Sequence, residues 1–247
     1  MNKTATLEKM QAMKMHGMAR AFRETYEVGI KNGLTPDEML AFLIDAEWDE
    51  RHNKRLARLV ASAGFRYQAR IEEIDCSSSR NIDRNKIQRL ADVDWIRNGE
   101  NIILTGPTGA GKSFISNAIG HRACVNGFSV MYFNCIKFFA KLKIAKADGS
   151  YPKIIKKIKA TGLLILDDFG ISAFDRDSRL MLLEVLEDRI GIASTIISTQ
   201  LPVESWFEVI GDKTIADAII DRLIHSSHKI FIKGGSMRKK FWKIPAT

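Results

Sequence analysis

The string Gly106-Pro107-Thr108-Gly109-Ala110-Gly111-Lys112-Ser113 has the spacing G-x-x-x-x-G-K-[ST], and no other stretch of the 247 residues states its chemistry so plainly. Glycines at those positions let backbone N–H groups turn inward around phosphate oxygens, and a following helix N-terminus adds a favourable partial charge. The Lys112 ammonium is placed to reach β and γ phosphates, and the Ser113 hydroxyl is a suitable ligand for Mg²⁺, which takes few protein oxygens and keeps several waters. An apolar run, Asn101 to Thr105, precedes the motif and a helical run, Phe114 to Ala123, follows it, which is the context the motif needs. The spacing therefore predicts a site for ATP and Mg²⁺.

A second run, Leu163-Leu164-Ile165-Leu166, ends in Asp167 and Asp168. An aspartate at the edge of such a strand is where a phosphate-loop protein holds Mg²⁺ through water, which is the role expected of Asp167 together with Ser113. Asp168, one residue on, is expected to orient or deprotonate the attacking water. A further strand, Ser194 to Thr199, runs into Ser198-Thr199-Gln200. Polar side chains at the carboxyl end of a strand face the ligand crevice of an open sheet, so one of Ser198 and Thr199, with Thr199 nominated, is expected to meet the γ-phosphate or the lytic water. The plainer alternative is that these residues merely begin a loop. Lys112, Asp167, Asp168 and Thr199 are thus candidates for an ATP-hydrolysing centre.

The elements that must position these residues are legible from periodicity. From Asn101 onward, short runs rich in Ile, Val and Leu alternate with helical patterns, as in a parallel sheet covered on both faces. Strands are expected at 101–105, 129–133, 162–167, 194–199 and 229–232. The first seventy-five residues read as helix throughout, with Leu7, Met10, Met15, Met18 and Phe22 at roughly helical spacing. Thr35-Pro36-Asp37-Glu38 form a capping-box start, and one apolar stripe runs on to Gly64. The serine-rich stretch from Cys76 to Asn81 is small, polar and aperiodic, as a linker would be. The expected organisation is a helical domain over 1–75, a linker over 76–100 and an α/β nucleotide-binding core with a five-stranded parallel sheet over 101–247.

Composition adds a partner class. The formal charge of +9 favours a polyanion such as nucleic acid. Between residues 134 and 160 eight lysines stand against one acid, Asp148, with Phe138, Phe139, Leu142, Ile154, Ile155 and Ile158 as apolar anchors; two short helices with a turn at Asp148-Gly149-Ser150 are expected. Lys141, Lys143, Lys153, Lys156, Lys157 and Lys159 are the candidate DNA contacts, and lysines neutralise phosphates without reading bases. A solvated helical face is the alternative. The basic group Lys233, Arg238, Lys239, Lys240 and Lys243 reads equally well as an ordinary tail. No run is long and apolar enough to cross a bilayer and no signal-peptide order opens the chain, so a cytoplasmic protein without a membrane partner is expected. Cys76, Cys124 and Cys135 lack metal or disulfide spacing and are expected to be reduced structural thiols.

The array GPTGAGKS, LLILDDFG, TIISTQLP, TIADAIIDRLIH and GGSMRKK resembles the IstB-like family of transposition helper ATPases. LEKMQAMKMHGMARAF and FLIDAEWDERHNKRL resemble the helical front domain of that family, so the likeness covers nearly the whole chain. Such proteins are similar to the helicase loader DnaC and, more distantly, to the initiator DnaA. The resemblance implies an AAA+ core and an ATP-dependent, DNA-binding homo-oligomer that assists the transposase of the same insertion sequence. It also implies ATP hydrolysis stimulated by DNA and by assembly. Within it, Arg222 of the helical run 215–225 would be an arginine finger reaching the neighbouring subunit's site, and Arg238 a second sensor of the nucleotide. Two alternatives stay open: a replicative helicase loader, and an ATP-gated DNA scaffold with little hydrolysis, since Asp168 stands where most brisk hydrolases carry glutamate.

Overall fold

The computed structural model describes residues 3–28 and 34–237. The chain divides into two compact units, Met1–Arg58 and Leu59–Thr247. The first contains α1 (Lys3–Ala12), α2 (His16–Val28) and most of α3 (Pro36–Ala63), which runs on into the second. The capping box at the head of α3 forms as the sequence predicts: Thr35 N and Oγ1 both donate to Glu38 Oε2 at 2.8 Å. The helix stops where Gly64 takes φ +69°, a value glycine adopts without penalty.

One buried carboxylate organises the first unit. Glu47, in the middle of α3, accepts from the N–H groups of Gly17 (2.8 Å) and Met18 (3.1 Å), so it satisfies two of the free donors at the N-terminus of α2. Arg51, one turn on, donates to its other oxygen at 2.7 Å. Gly17 is required by this approach, because a Cβ there would lie 2.2 Å from Ala46 O. Burial pushes the Glu47 carboxyl up, but the bonds from Arg51, Met18 and Gly17 outweigh it and hold the group below the ordinary carboxylate value.

The second unit is a five-stranded parallel sheet in the order β2-β3-β4-β1-β5. Its strands are β1 (Asn101–Thr105), β2 (Val130–Asn134), β3 (Leu163–Phe169), β4 (Ser194–Thr199) and β5 (Ser227–Phe231). Crossover helices are α6 (Lys112–Val125), the pair α7 (Cys135–Asp148) and α8 (Tyr151–Lys159), α9 (Arg176–Glu187), and α10 (Trp206–Ile210) with α11 (Lys213–Ile224). The strand interiors of β1, β3 and β4 are buried, as their uninterrupted Ile and Leu content demands. One face packs under α6; the other holds an aromatic cluster in which Phe169 meets Phe174 at 5.2 Å and Trp206 at 4.6 Å between ring centroids.

Two expectations need correction. The stretch 76–100 is not a free linker. It forms a turn of 3₁₀ helix at Ser78–Arg80, then α4 (Arg84–Ala91) and α5 (Asp94–Arg97), and it buries Arg80, Ile82, Ile87, Leu90, Trp95 and Ile96 in the second unit. Helices this short show too little periodicity to be read from sequence, and the serines are turn and cap residues. The compact core accordingly begins at Leu59, well before residue 75. Strand β3 also runs past its expected end through both aspartates to Phe169, with a register shift between Leu166 and Phe169 where Asp168 takes φ +59°.

Glu47→Gln is expected to loosen the contact between α2 and α3. The lost charge-assisted bonds are worth about 1–3 kcal/mol, or about 5- to 150-fold faster hydrogen exchange at the Gly17 and Met18 amides near neutral pH. Because the folded carboxyl titrates below its unfolded value, the wild-type advantage is present above that value and disappears as pH falls through the acid range. A difference between the two proteins that stays constant down to low pH would count against the assignment.

Candidate active site

The phosphate loop closes between β1 and α6. Gly109 (φ +78°) and Gly111 (φ +88°) both occupy the left-handed region, which L side chains rarely adopt, and Lys112 is the first residue of the helix. Gly106 passes under the end of β5, where a Cβ would meet Ile232 O at 2.4 Å. Lys112, 6% exposed, folds its ammonium over the loop and donates to Gly106 O (2.8 Å) and Pro107 O (2.9 Å). Thr108 is tied to the end of β4 through Gln200 Oε1 at 2.5 Å.

Asp167 lies two residues beyond Ile165 on β3, and Ile165 touches Gly120 of α6, so strand alternation places Asp167 on the α6 face. It is fully buried. Its Oδ2 accepts from the Tyr132 hydroxyl at 2.7 Å, while Oδ1 has no hydrogen-bond partner. Burial and the bond to Asp167 raise the Tyr132 phenol far above its ordinary value, so it stays a donor. A buried carboxylate oxygen without a partner is costly unless a cation or a polarised water completes it. Asp167 together with the Ser113 hydroxyl therefore fits the hard oxygen donor set that Mg²⁺ prefers. Asp168 turns aside: its Oδ2 accepts from Asn134 Nδ2 at 2.8 Å and lies 3.9 Å from Arg66 Nη1.

At the end of β4 the two candidate hydroxyls separate, and Thr199, the one nominated from the sequence, is engaged in the local turn. Its Oγ1 donates to Phe169 O (2.8 Å) and accepts from Leu201 N (3.1 Å), so its one proton and one of its two lone pairs are spent on the local turn. Ser198 pairs across the sheet with Leu104, lies on the α6 face two residues beyond Ile196, and has a buried Oγ without a partner. Of the two it is the hydroxyl that no group among the described residues engages.

Comparison with known proteins decides the family. A family model described as "IstB-like ATP binding protein" matches residues 8–243. A putative insertion sequence ATP-binding protein of Sinorhizobium fredii is 42% identical over 234 residues, covering 95% of this chain and 96% of the relative. The insertion sequence IS21 putative ATP-binding protein of Pseudomonas aeruginosa is 29% identical over 231 residues, covering 94% of this chain and 87% of the relative. This chain belongs to the IstB-like family. Among solved structures, the DnaC helicase loader superposes with TM-score 0.55 at 19% identity, over 68% of this chain and 98% of that one. AMPPCP-bound DnaA from Aquifex aeolicus superposes with TM-score 0.56 at 17% identity, over 68% and 51%. At such identities the likeness shows the fold alone: an AAA+ type α/β core.

In this IstB-like chain Arg222 is not part of the site built around Lys112. It sits near the end of α11, where Nη2 pairs with Glu187 Oε1 at 2.8 Å and Nη1 donates to Ala218 O at 2.8 Å. Its backbone oxygen accepts from Asn101, the first residue of β1, at 3.1 Å, which puts it at the amino edge of the sheet, a strand length from the phosphate loop. Arg238 lies outside the described residues. The segment leading to it crosses the loop, since Met237 N donates to Gly109 O at 2.9 Å and a Cβ on Gly109 would meet Ser236 Oγ at 2.4 Å.

The lysine-rich helices form where expected, with the turn at Gly149 (φ +78°). Two of the six nominated lysines are paired: Lys143 with Asp175, and Lys159 with Asp188 at 2.9 Å. Lys141 lies over the Phe133 ring at 5.4 Å. Lys153, Lys156 and Lys157 stand exposed on α8, opposite its buried Ile158, and make no ion pair among the described residues. Burial pushes the thiols of Cys124 and Cys135 up to about 12, so neither is a nucleophile near neutral pH.

Tyr132, Asn134 and Arg66 are absent from the sequence-based site. Asn134 ends β2 and Tyr132 stands two residues before it, so the same rule about polar residues at carboxyl strand ends would have found Asn134. Arg66 has no such signal; its place depends on Asn117 of α6, whose Oδ1 accepts from the N–H groups of Arg66 (2.9 Å) and Tyr67 (3.2 Å).

The contrast between the two hydroxyls is testable. Ser198→Ala is expected to lower ATP turnover at least tenfold with little change in melting temperature. Thr199→Val is expected to cost about 1 kcal/mol of stability through the lost turn bonds, with a smaller effect on turnover. Phosphate release and thermal unfolding of both variants check this, and the reverse ranking would restore Thr199.

Proposed function

We propose that this chain is a Mg²⁺-dependent ATPase that assembles on duplex DNA and assists the transposase of its insertion sequence. The observation that carries the reading is the buried Asp167 oxygen left without a partner on the face of the sheet that carries a complete phosphate loop. Lys112 and the loop amides bind the phosphates, and Ser113 and Asp167 would hold Mg²⁺, which supplies charge neutralisation there. Ser198 meets the terminal phosphate or its water. Asp168 is the base, and Asn134 and Arg66 engage its carboxylate in the arrangement described, which supports slow turnover until assembly rearranges the site.

Arg222 supports the assembly step. A guanidinium a strand length from its own phosphate loop serves hydrolysis only in a neighbouring subunit's site, where its permanent charge stabilises the transferring phosphoryl group. The helical front region is the proposed contact with the transposase: Leu40, Ile44 and Trp48 of α3, spaced four apart, are all at least half exposed. Membership of a family whose relatives are insertion sequence proteins favours this partner over a replicative helicase.

Phosphate release measured with and without duplex DNA tests the reading. Lys112→Ala is expected to abolish turnover. Arg222→Ala is expected to keep nucleotide binding while losing the protein-concentration-dependent turnover, and mixing the two variants is expected to restore part of it. Turnover at background with DNA and transposase present would reduce the protein to an ATP-gated scaffold; no rescue at any mixing ratio would remove Arg222 from the neighbour's site.

Lys153, Lys156 and Lys157 are the proposed DNA contacts. Their joint replacement by alanine is expected to weaken duplex binding without changing sequence preference. The slope of log affinity against log salt should fall by up to roughly 3, following counterion release of about 0.9 per phosphate neutralised. An unchanged slope would move the DNA path elsewhere.

A further inference from the structure

Arg80 sits in the turn that sequence reads as linker, yet it is 6% exposed and lies against the phosphate loop. Its Nη2 donates to Ala110 O and lies 3.2 Å from where a Cβ on Gly111 would be. Its Nε is buried without a hydrogen-bond partner, and no carboxylate pairs with it among the described residues. The turn itself is held firmly: Lys233 N donates to Arg80 O at 2.9 Å, and Asn81 Nδ2 donates to Phe231 O at 2.9 Å.

The other buried arginine shows what a structural guanidinium looks like in this fold. Arg189 donates from Nη1 to Ile158 O and Thr161 O at 2.7 Å each, from Nη2 to Ser194 O, and from Nε to Thr195 Oγ1 at 3.4 Å. All three of its nitrogens are used, none beside the phosphate loop. Arg80 holds one backbone oxygen and keeps its charge uncompensated, and a buried charge in that condition costs stability until an anion neutralises it.

We infer that Arg80 is a positioning residue for the phosphates of a nucleoside di- or triphosphate: it fixes and polarises the Ala110–Gly111 peptide, and the bound phosphates are its counter-charge. Carbonyl and N–H of a trans peptide point in opposite directions, so a cation donating to Ala110 O strengthens Gly111 N–H as a donor at the N-terminus of α6. The inference rests on the nucleotide reading of the loop and adds a residue to it.

The test uses the full chain and two readouts: melting temperature without nucleotide, and equilibrium binding of ADP and of ATP with Mg²⁺ by titration calorimetry. Arg80→Gln keeps a donor for Ala110 O and removes the charge. It is expected to weaken both nucleotides about tenfold without lowering the melting temperature of the free protein. Arg80→Met is expected to weaken them further, and Arg80→Lys, which keeps a charge, to recover most of the affinity. Unchanged ADP affinity in Arg80→Gln would overturn the inference, as would a loss accompanied by a large fall in the free protein's melting temperature, which assigns Arg80 a structural role. Should Arg80→Met not fold, Arg80→Gln decides by the same readouts. Failure of the wild type to bind ADP would sink the nucleotide reading itself, and the inference with it.

Discussion

Asp167 is a carboxylate with no exposure to water, and its burial is the constraint around which the second unit is arranged. Such a group needs donors or a cation on every side. Tyr132 on the neighbouring strand supplies one donor, and its own burial keeps it protonated. Strand alternation puts Asp167 on the α6 face, the side of the sheet where that helix begins with Lys112. A parallel sheet brings all carboxyl ends to one edge, so the residues ending β2, β3 and β4 converge there although 35 residues separate Tyr132 from Asp167.

Around that edge several hydrogen bonds tie the chain down. Asn117 holds the peptide after Gly64 against α6 and also donates to Ser113 O at 2.6 Å, so the exit from α3 and the last residue of the phosphate loop share one amide side chain. Arg80 and the segment 232–237 brace the loop, and Thr108 links it to β4.

Charge is divided in a comparable way. The basic excess of α7 and α8 looks single-signed along the sequence, yet the residues that flank α9, Asp175 before it and Asp188 after it, pair with Lys143 and Lys159. Among the described residues six of the eight lysines make no ion pair; Lys141 and Lys146 lie over the rings of Phe133 and Tyr151, and Lys153, Lys156 and Lys157 stand together on one face of α8. Exposed pairs of this kind contribute little to stability, but they reduce the local field that a polyanion meets.

Much was determined by sequence alone. The glycine spacing of 106–113, the apolar runs ending in Asp167 and Ser198, and the Thr35–Glu38 cap each depend on residues within a few positions of one another, where backbone preference and periodicity decide the outcome. The linker reading of 76–100 failed because its helices are too short to show a period and because Arg80 is buried by partners more than 25 residues away. Only the tertiary structure separated Ser198 from Thr199, turned Asp168 toward Asn134 and Arg66, paired two lysines with distant acids and set Arg222 at the far edge of the sheet. Those outcomes depend on which hydrogen-bond partner arrives from another element, and the arrival is set by strand order and register, which no local pattern encodes.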